Sequence, residues 1–223
     1  MSNLEHWQSA KRPDSRTLHG RFIHLEKLDT TRHADGLWAA LQGPDSDPKL
    51  WDYLLVGPFS ERSAFDDYLS GLQASSDPWF YTVIDQQTGV IHGFIALMSI
   101  VPSAGRIEIG HVTFGASMQR TPKSTEAVYL LAKESFALGN RRLEWKCNAD
   151  NARSVSAAER FGFTCEGTFR QHMVVKGKNR NTAWFSILDS EWAALEQAFE
   201  AWLAVDNFKD GQQIQTLGQL RKA

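Results

Sequence analysis

The sequence predicts a mixed α/β fold in a single domain. Three observations predict it: a block of three strand-like apolar runs, a strand–helix–strand passage after that block, and one-sided apolar helices flanking both. At 223 residues, 42% hydrophobic and 22% charged, the chain can bury a full core and has ordinary globular composition. Residues 1–16 read as a polar N-terminal extension, 17–204 as the domain, and 205–223 as a Gln-rich C-terminal tail with little pattern, expected to be peripheral.

Leu18 to Leu25 alternates loosely and predicts a first strand. Thr30-Thr31 caps a helix with Leu37, Trp38 and Leu41 on one face, stopped by Gly43-Pro44. Asp45 to Pro58 is a loop carrying Trp51 and Tyr53. Ser60 opens a second helix with Phe65, Tyr68, Leu69 and Leu72 at helical spacing. Trp79 to Asp85, Val90 to Val101 and Arg106 to Phe114 then form an antiparallel meander. Its first turn contains Gly89, which admits a positive φ.

Thr121 to Leu138 is a helix with Thr121 as N-cap and Pro122 in the first helical position, where a missing N–H costs nothing. Arg142 to Asn148 returns as a strand, completing a βαβ crossover with parallel strands. Asn151 caps a short helix that buries Val155, Ala158 and Phe161 and ends at Gly162. Thr164 to Val175 and Asn181 to Leu188 pair through a turn at 176–179. A last helix carries Trp192, Leu195, Phe199 and Trp202 three and four apart, a face that packs on its own domain or on a partner subunit.

Several function classes are disfavoured. A formal net charge of -2 argues against a general nucleic-acid binder, which needs a basic face to neutralise phosphates. No apolar run approaches the ~20 residues that span a bilayer, and the start lacks a basic-then-apolar signal, so a cytoplasmic protein is expected. Cys147 and Cys165 have no CxxC spacing and read as buried, reduced thiols. The seven histidines stand singly, so no metal is expected.

The stretch from Glu108 to Ala127 carries the functional signal. An apolar strand runs into a polar turn and straight into a helix start, whose first-turn N–H groups are unpaired and carry partial positive charge. Arg120 and Lys123 add two cations to that turn. The combination reads as a phosphate cradle after a strand, against the plainer reading of a capped helix with solvated basic residues. A phosphotransferase using Lys123-Ser124 lacks the Gly-rich spacing such enzymes need.

The element order, the turn Gln119-Arg-Thr-Pro-Lys-Ser124, Asn151-x-x-Ser154 opening the next helix and Gly162-Phe163 closing it together resemble the GNAT acetyltransferase superfamily. Glu108-Ile-Gly-His111, Thr125-Glu-Ala127 and the stretch Trp184 to Trp192 resemble its RimJ/RimL branch, the ribosomal-protein N-terminal acetyltransferases. The likeness covers roughly Leu18 to Leu203. It implies helices on both faces of a twisted, mostly antiparallel sheet that splays at a coenzyme A site. It also implies acetyl-CoA as co-substrate, an amine acceptor and, as in many relatives, a homodimer.

By that resemblance the turn holds the coenzyme A pyrophosphate, with Gln119 in the first position of the family pattern and Ser124 in the last. Pro122 replaces a usual glycine and gives no N–H. Arg120, Thr121, Lys123, Ser124 and Thr125 remain as binding residues. The pantetheine arm is expected along the backbone of Val112, Thr113 and Phe114, with Asn151 and Ser154 on its other side.

Acetyl transfer to an amine needs a neutral nucleophile, an oxyanion donor and a proton for the departing thiolate. At pH 7 neutralising a lysine costs about 4.6 kcal/mol, whereas an α-amino group costs only ~1 kcal/mol. Glu108 is the first candidate base, on the strand entering the cradle; alternation puts Glu108, Gly110 and Val112 on one side. A structural carboxylate paired with Arg106 or another cation is its competing reading. His111 falls on the opposite side unless a bulge shifts the register. By resemblance, the amide near Val112 or Thr113 is the oxyanion donor. The tyrosine that many relatives use as acid falls at Ala158, leaving Ser154, a water, or departure of the thiolate without a dedicated acid. That absence keeps open a second function, a coenzyme-A-binding regulatory or scaffold protein without turnover. The acceptor, a protein N-terminus or a small amine, stays open as well.

Overall fold

A computed structural model describes residues 4–222; the first three residues of the predicted extension and Ala223 lie outside the described residues. Eight strands form one sheet: β1 (Leu18–His19), β2 (Ile23–Lys27), β3 (Trp79–Asp85), β4 (Ile91–Val101), β5 (Arg106–Phe114), β6 (Arg142–Asn148), β7 (Thr164–Val175) and β8 (Lys178–Leu188). Their order is β1-β2-β3-β4-β5-β6-β8-β7. Every neighbouring pair is antiparallel except β5 with β6, the two strands joined by the crossover helix. The helices are α1 (Thr30–Gln42), α2 (Arg62–Ala74), α3 (Pro122–Ala137), α4 (Ala152–Phe161), α5 (Asp189–Leu203) and α6 (Leu217–Leu220). Among the described residues no helix is long and apolar enough to cross a membrane.

Each face of the sheet has its own core. Ile107, Ile109, Leu143, Phe185 and Ile187 pack against Val128 and Leu131 of α3 and Phe199 and Trp202 of α5. On the other face Phe80, Phe94 and Ala96 pack against Leu37 and Leu41 of α1 and Phe65 and Leu69 of α2. Burying each such large side chain is worth about 1.5–3 kcal/mol, so these two layers fix the sheet between them. Trp192, Phe199 and Trp202 are buried in their own domain, which decides for the core reading of the last helix.

The local signals decide most element ends. Gly89 at φ +70 turns the β3–β4 hairpin, and Gly162 at φ +96 stops α4. The predicted first strand is instead a hairpin of β1 and β2, held to α3 by a side chain from far along the chain. Buried Glu126 accepts the amides of Arg21, Phe22 and Ile23 at 2.7, 2.7 and 2.9 Å. Asp29, one residue before the predicted Thr30-Thr31 cap, accepts the Thr31 amide at 2.9 Å. The second helix begins at Arg62, two residues later than Ser60.

Both chain ends are more integrated than their composition suggests. Ala10 is buried, with its amide on Pro102 O, and the Lys11 amide bonds Leu138 O at 2.8 Å. The expected peripheral tail forms the small hairpin β9 (Phe208–Lys209) and β10 (Gln212–Gln213), then α6. It buries Leu217 in the α3/α5 core, and Arg221 donates to the last carbonyls of α4, Glu159 O and Arg160 O, at 2.8 and 3.0 Å.

Candidate active site

The site begins where the parallel pair comes apart. β5 pairs with β6 only from Arg106–Arg142 to Ile109–Trp145, while β5 continues beside β4 to Phe114 and β6 beside β8 to Asn148. The edges of Gly110–Phe114 and Lys146–Asn148 therefore face each other across a gap without strand pairing. An extended ligand can complete such an edge.

A bulge sits at this point. Ala96 opposes Gly110 and Phe94 opposes Thr113, so the single residue Ile95 faces both His111 and Val112. His111 has φ +48, and the Thr113 hydroxyl donates to His111 O at 3.1 Å. The bulge overturns the parity expected for the strand. Val112 turns to the α3 side, where it packs against that core, and His111 joins Glu108 and Gly110 on the α1/α2 side. Its ring stands edge-on to Phe80 with centroids 5.0 Å apart. Thr113 and Phe114 have buried side chains, so only their backbones can serve a ligand.

The helix start offers an anion cradle in part of the way predicted. Thr121 is the N-cap and Pro122 the first helical residue, yet the Thr121 hydroxyl donates to Met118 O at 2.7 Å instead of accepting a first-turn amide. Among the described residues the amides of Lys123 and Ser124 have no acceptor, as at any unblocked helix start. Gln119 is spent on structure, its Nε2 donating to Phe114 O at 3.1 Å; the Ser124 hydroxyl donates to Thr121 O at 2.8 Å. Thr125 is buried and its Oγ1 accepts from Arg160 at 3.0 Å.

The two expected cations have separate fates. Arg120 is exposed, has φ +61 and has no ion-pair partner among the described residues. Lys123 is ion-paired with buried Asp85 at 2.5 Å, with His92 Nε2 at 3.3 Å from its ammonium. Burial alone would raise the Asp85 carboxyl, but Lys123 and the Thr88 and Gln87 amides outweigh it and hold the group well below the carboxylate range. Free charge at the cradle is Arg120's.

Glu108 is buried and paired. Its Oε2 accepts from Ser99 Oγ at 2.9 Å and from Lys146 Nζ at 2.8 Å, and Lys146 also reaches Glu144 Oε2 at 2.8 Å. The competing reading, a structural carboxylate held by a cation, describes this geometry, although the cation is Lys146 and not Arg106. His111 has no ring hydrogen bond among the described residues. Burial pushes its pKa below the ordinary histidine value, so the ring is neutral and a proton acceptor at neutral pH.

Asn151 opens α4 as a cap, its Oδ1 accepting the Ser154 amide at 3.2 Å, which leaves its amide nitrogen free. Ser154 Oγ accepts from Trp145 Nε1 at 3.0 Å, and its hydroxyl hydrogen-bonds the Cys147 thiol as donor. Ala158, where the family resemblance placed the expected tyrosine, is fully buried. Cys147 is buried beside Ser154, with burial pushing its thiol pKa up, whereas Cys165 is exposed, contrary to the expectation that both are buried. Among the described residues no group of His, Cys, Asp or Glu could hold a metal ion.

Sequence reasoning missed Lys146, Asp85 and the ties that fasten the α1–α2 loop. Lys176, in the β7–β8 turn, donates to Trp51 O at 2.9 Å and Gly57 O at 3.0 Å, and Tyr53 donates to Asp150 O at 3.1 Å. The loop between α1 and α2 is thereby tied across to the terminal hairpin and to the start of α4. No local pattern announces those contacts, since each joins residues some hundred positions apart.

Known proteins share this architecture. Residues 23–164 match the family model described as an acetyltransferase (GNAT) domain. The crystal structure of a GCN5-related N-acetyltransferase from Brucella melitensis is 45% identical, covers 99% of this chain and 100% of its own, and superposes with a TM-score of 0.96. A Bacillus licheniformis protein named "Uncharacterized N-acetyltransferase p20" is 27% identical over 152 residues, 66% of this chain and 85% of that one. RimL, the ribosomal L7/L12 alpha-N-protein acetyltransferase, shares the fold at 18% identity, with a TM-score of 0.65 over 80% of this chain and 99% of its own.

Proposed function

The chain belongs to the GNAT acetyltransferase family, and from that premise we propose that it moves an acetyl group from acetyl-CoA to a primary amine by direct attack in a ternary complex. One observation carries the reading: the unpaired edge Gly110–Phe114 leads to a helix start whose Lys123 and Ser124 amides have no acceptor among the described residues. Acetyl-CoA, when bound, supplies the activated thioester.

The residues present fit such a group. The Lys123 and Ser124 amides and Arg120 would hold its diphosphate, the backbone of Val112–Phe114 and the free Asn151 amide its extended arm. A backbone N–H at the His111 bulge is the proposed oxyanion donor. His111, neutral and unpartnered on the acceptor side, takes the proton of the incoming amine directly or through a water. Glu108 is the weaker base because Lys146 and Ser99 already occupy its Oε2. Ser154, whose hydroxyl hydrogen-bonds the Cys147 thiol, would redirect its proton to a departing thiolate.

The acceptor is a protein N-terminus or a small amine. Thiol release on mixing protein, acetyl-CoA and a broad amine panel tests the reading. Acetyl-CoA binding without acetylation of any acceptor would favour a non-catalytic coenzyme-A-binding protein, a reading supported only by the buried Ala158 where the family resemblance placed a hydroxyl.

A further inference from the structure

Strand β8 places Arg180, Thr182 and Trp184 on one face by alternation. That face is the acceptor side: Trp184 is paired with Lys146, whose Nζ stands 4.2 Å over the indole ring and is bonded to Glu108. Next to Trp184 lie Phe169, at 4.7 Å between centroids, and His172, whose Nδ1 is 3.0 Å from Thr182 Oγ1.

Three cations of β5 and β6 on this face meet carboxylates. Lys146 meets Glu108 and Glu144, Arg142 meets Glu144 and Glu166, and Arg106 meets Glu144. Arg180 has no ion-pair partner among the described residues, and its Nε is buried without a hydrogen-bond acceptor. Trp184 Nε1, four positions along the same face, is a second buried donor without an acceptor. A buried donor left unpaired costs about 1–3 kcal/mol, more when charged, so two of them on one sheet face point to a ligand that brings acceptor atoms.

The position suits a substrate group. Asn148 pairs with Thr182 and the Ala149 amide bonds Asn181 O at 2.9 Å, which puts Arg180 at the end of β6, near the α4 start and under the tied loop. The planar guanidinium fork matches a carboxylate in two parallel bonds. Lys176 ties the α1–α2 loop to the β7–β8 turn through Trp51 O and Gly57 O, and a loop so fastened beside this face suits a compact molecule more than a folded protein surface.

Building on the transferase reading, we infer that the acceptor is a small amine carrying a carboxylate, and that Arg180 receives the carboxylate while the amine lies toward His111. The test compares matched pairs, free amino acids and ω-amino acids against their carboxamides, in acetyl-CoA-dependent thiol release by wild type, Arg180→Gln and Arg180→Lys. Calorimetric acetyl-CoA binding and thermal unfolding accompany each protein.

Wild type is expected to favour carboxylates in kcat/KM by about 10- to 100-fold. Arg180→Gln abolishes the preference at unchanged acetyl-CoA affinity, and Arg180→Lys, which keeps charge without the fork, restores part of it. Equal use of carboxamides, a preference that survives in Arg180→Gln, or turnover of neutral amines or peptides alone overturns the inference while the transferase reading stands. Absent acetyl-CoA binding in wild type overturns that reading, and this inference with it.

Discussion

Lys146 Nζ lies 2.8 Å from Glu108 Oε2 and 2.8 Å from Glu144 Oε2, one ammonium between two buried carboxylates on neighbouring strands. The pair Glu108 and Glu144 is in direct register across β5 and β6, just before those strands part. Replacing Lys146 by methionine keeps the apolar stem and leaves buried Glu108 without a cation beside Glu144, which retains Arg142 and Arg106. Such a change costs about 3–5 kcal/mol, to be read by chemical unfolding, and the loss shrinks when Glu108→Gln is added.

His111 and Glu108 compete for the role of base, and activity separates them. His111→Gln is expected to lower kcat by about 10²–10⁴ with little change in acetyl-CoA affinity. Glu108→Gln, altering a residue already paired, costs clearly less. Because burial depresses the His111 pKa, the acid limb of the wild-type rate profile should fall below the ordinary histidine value of about 6.5. A limb above that value argues against His111.

Acid stability follows from three histidines. His33, His92 and His111 each have a pKa lowered first by burial, helped by Arg32 at His33 and by Lys123 at His92. In this window the unfolded chain binds more protons than the folded one, so stability falls as pH drops through about 6.5, the unfolded value, toward the folded values. Thermal unfolding should therefore show a lower Tm at pH 5.5 than at pH 7.5, and His33→Gln should flatten that slope. A Tm constant over this range contradicts the assignment.

The two cradle cations should respond differently. Arg120→Glu weakens coenzyme A binding with the fold intact, since Arg120 is exposed and unpaired. Lys123→Glu sets a carboxylate against buried Asp85 and lowers stability as well. Arg120→Gly relieves a left-handed φ worth about 1–3 kcal/mol and raises Tm while losing affinity. Calorimetry and thermal melts on the three variants separate charge from fold.

These contrasts show where sequence reasoning reaches. Thr121-Pro122, Gly89 and Gly162 act within a few residues, so the α3 start, the β3–β4 turn and the α4 stop were legible. The splay came through family resemblance. The bulge at His111 was not legible, because its φ of +48 is imposed by the β4 register and not by any glycine. Lys123 looked free because its partner, Asp85, is distant in sequence. Leu217 looked peripheral because a helix as short as α6 has no periodicity to read; only the groove between α4 and α5 gives it a burial site.

Amide chemical shifts on titration with coenzyme A test the central claim most directly. The account predicts saturable shifts at Lys123, Ser124 and Gly110 to Phe114, with Arg120→Glu moving the midpoint to higher ligand concentration. Shifts confined to other surfaces, or none at saturating ligand, would contradict it.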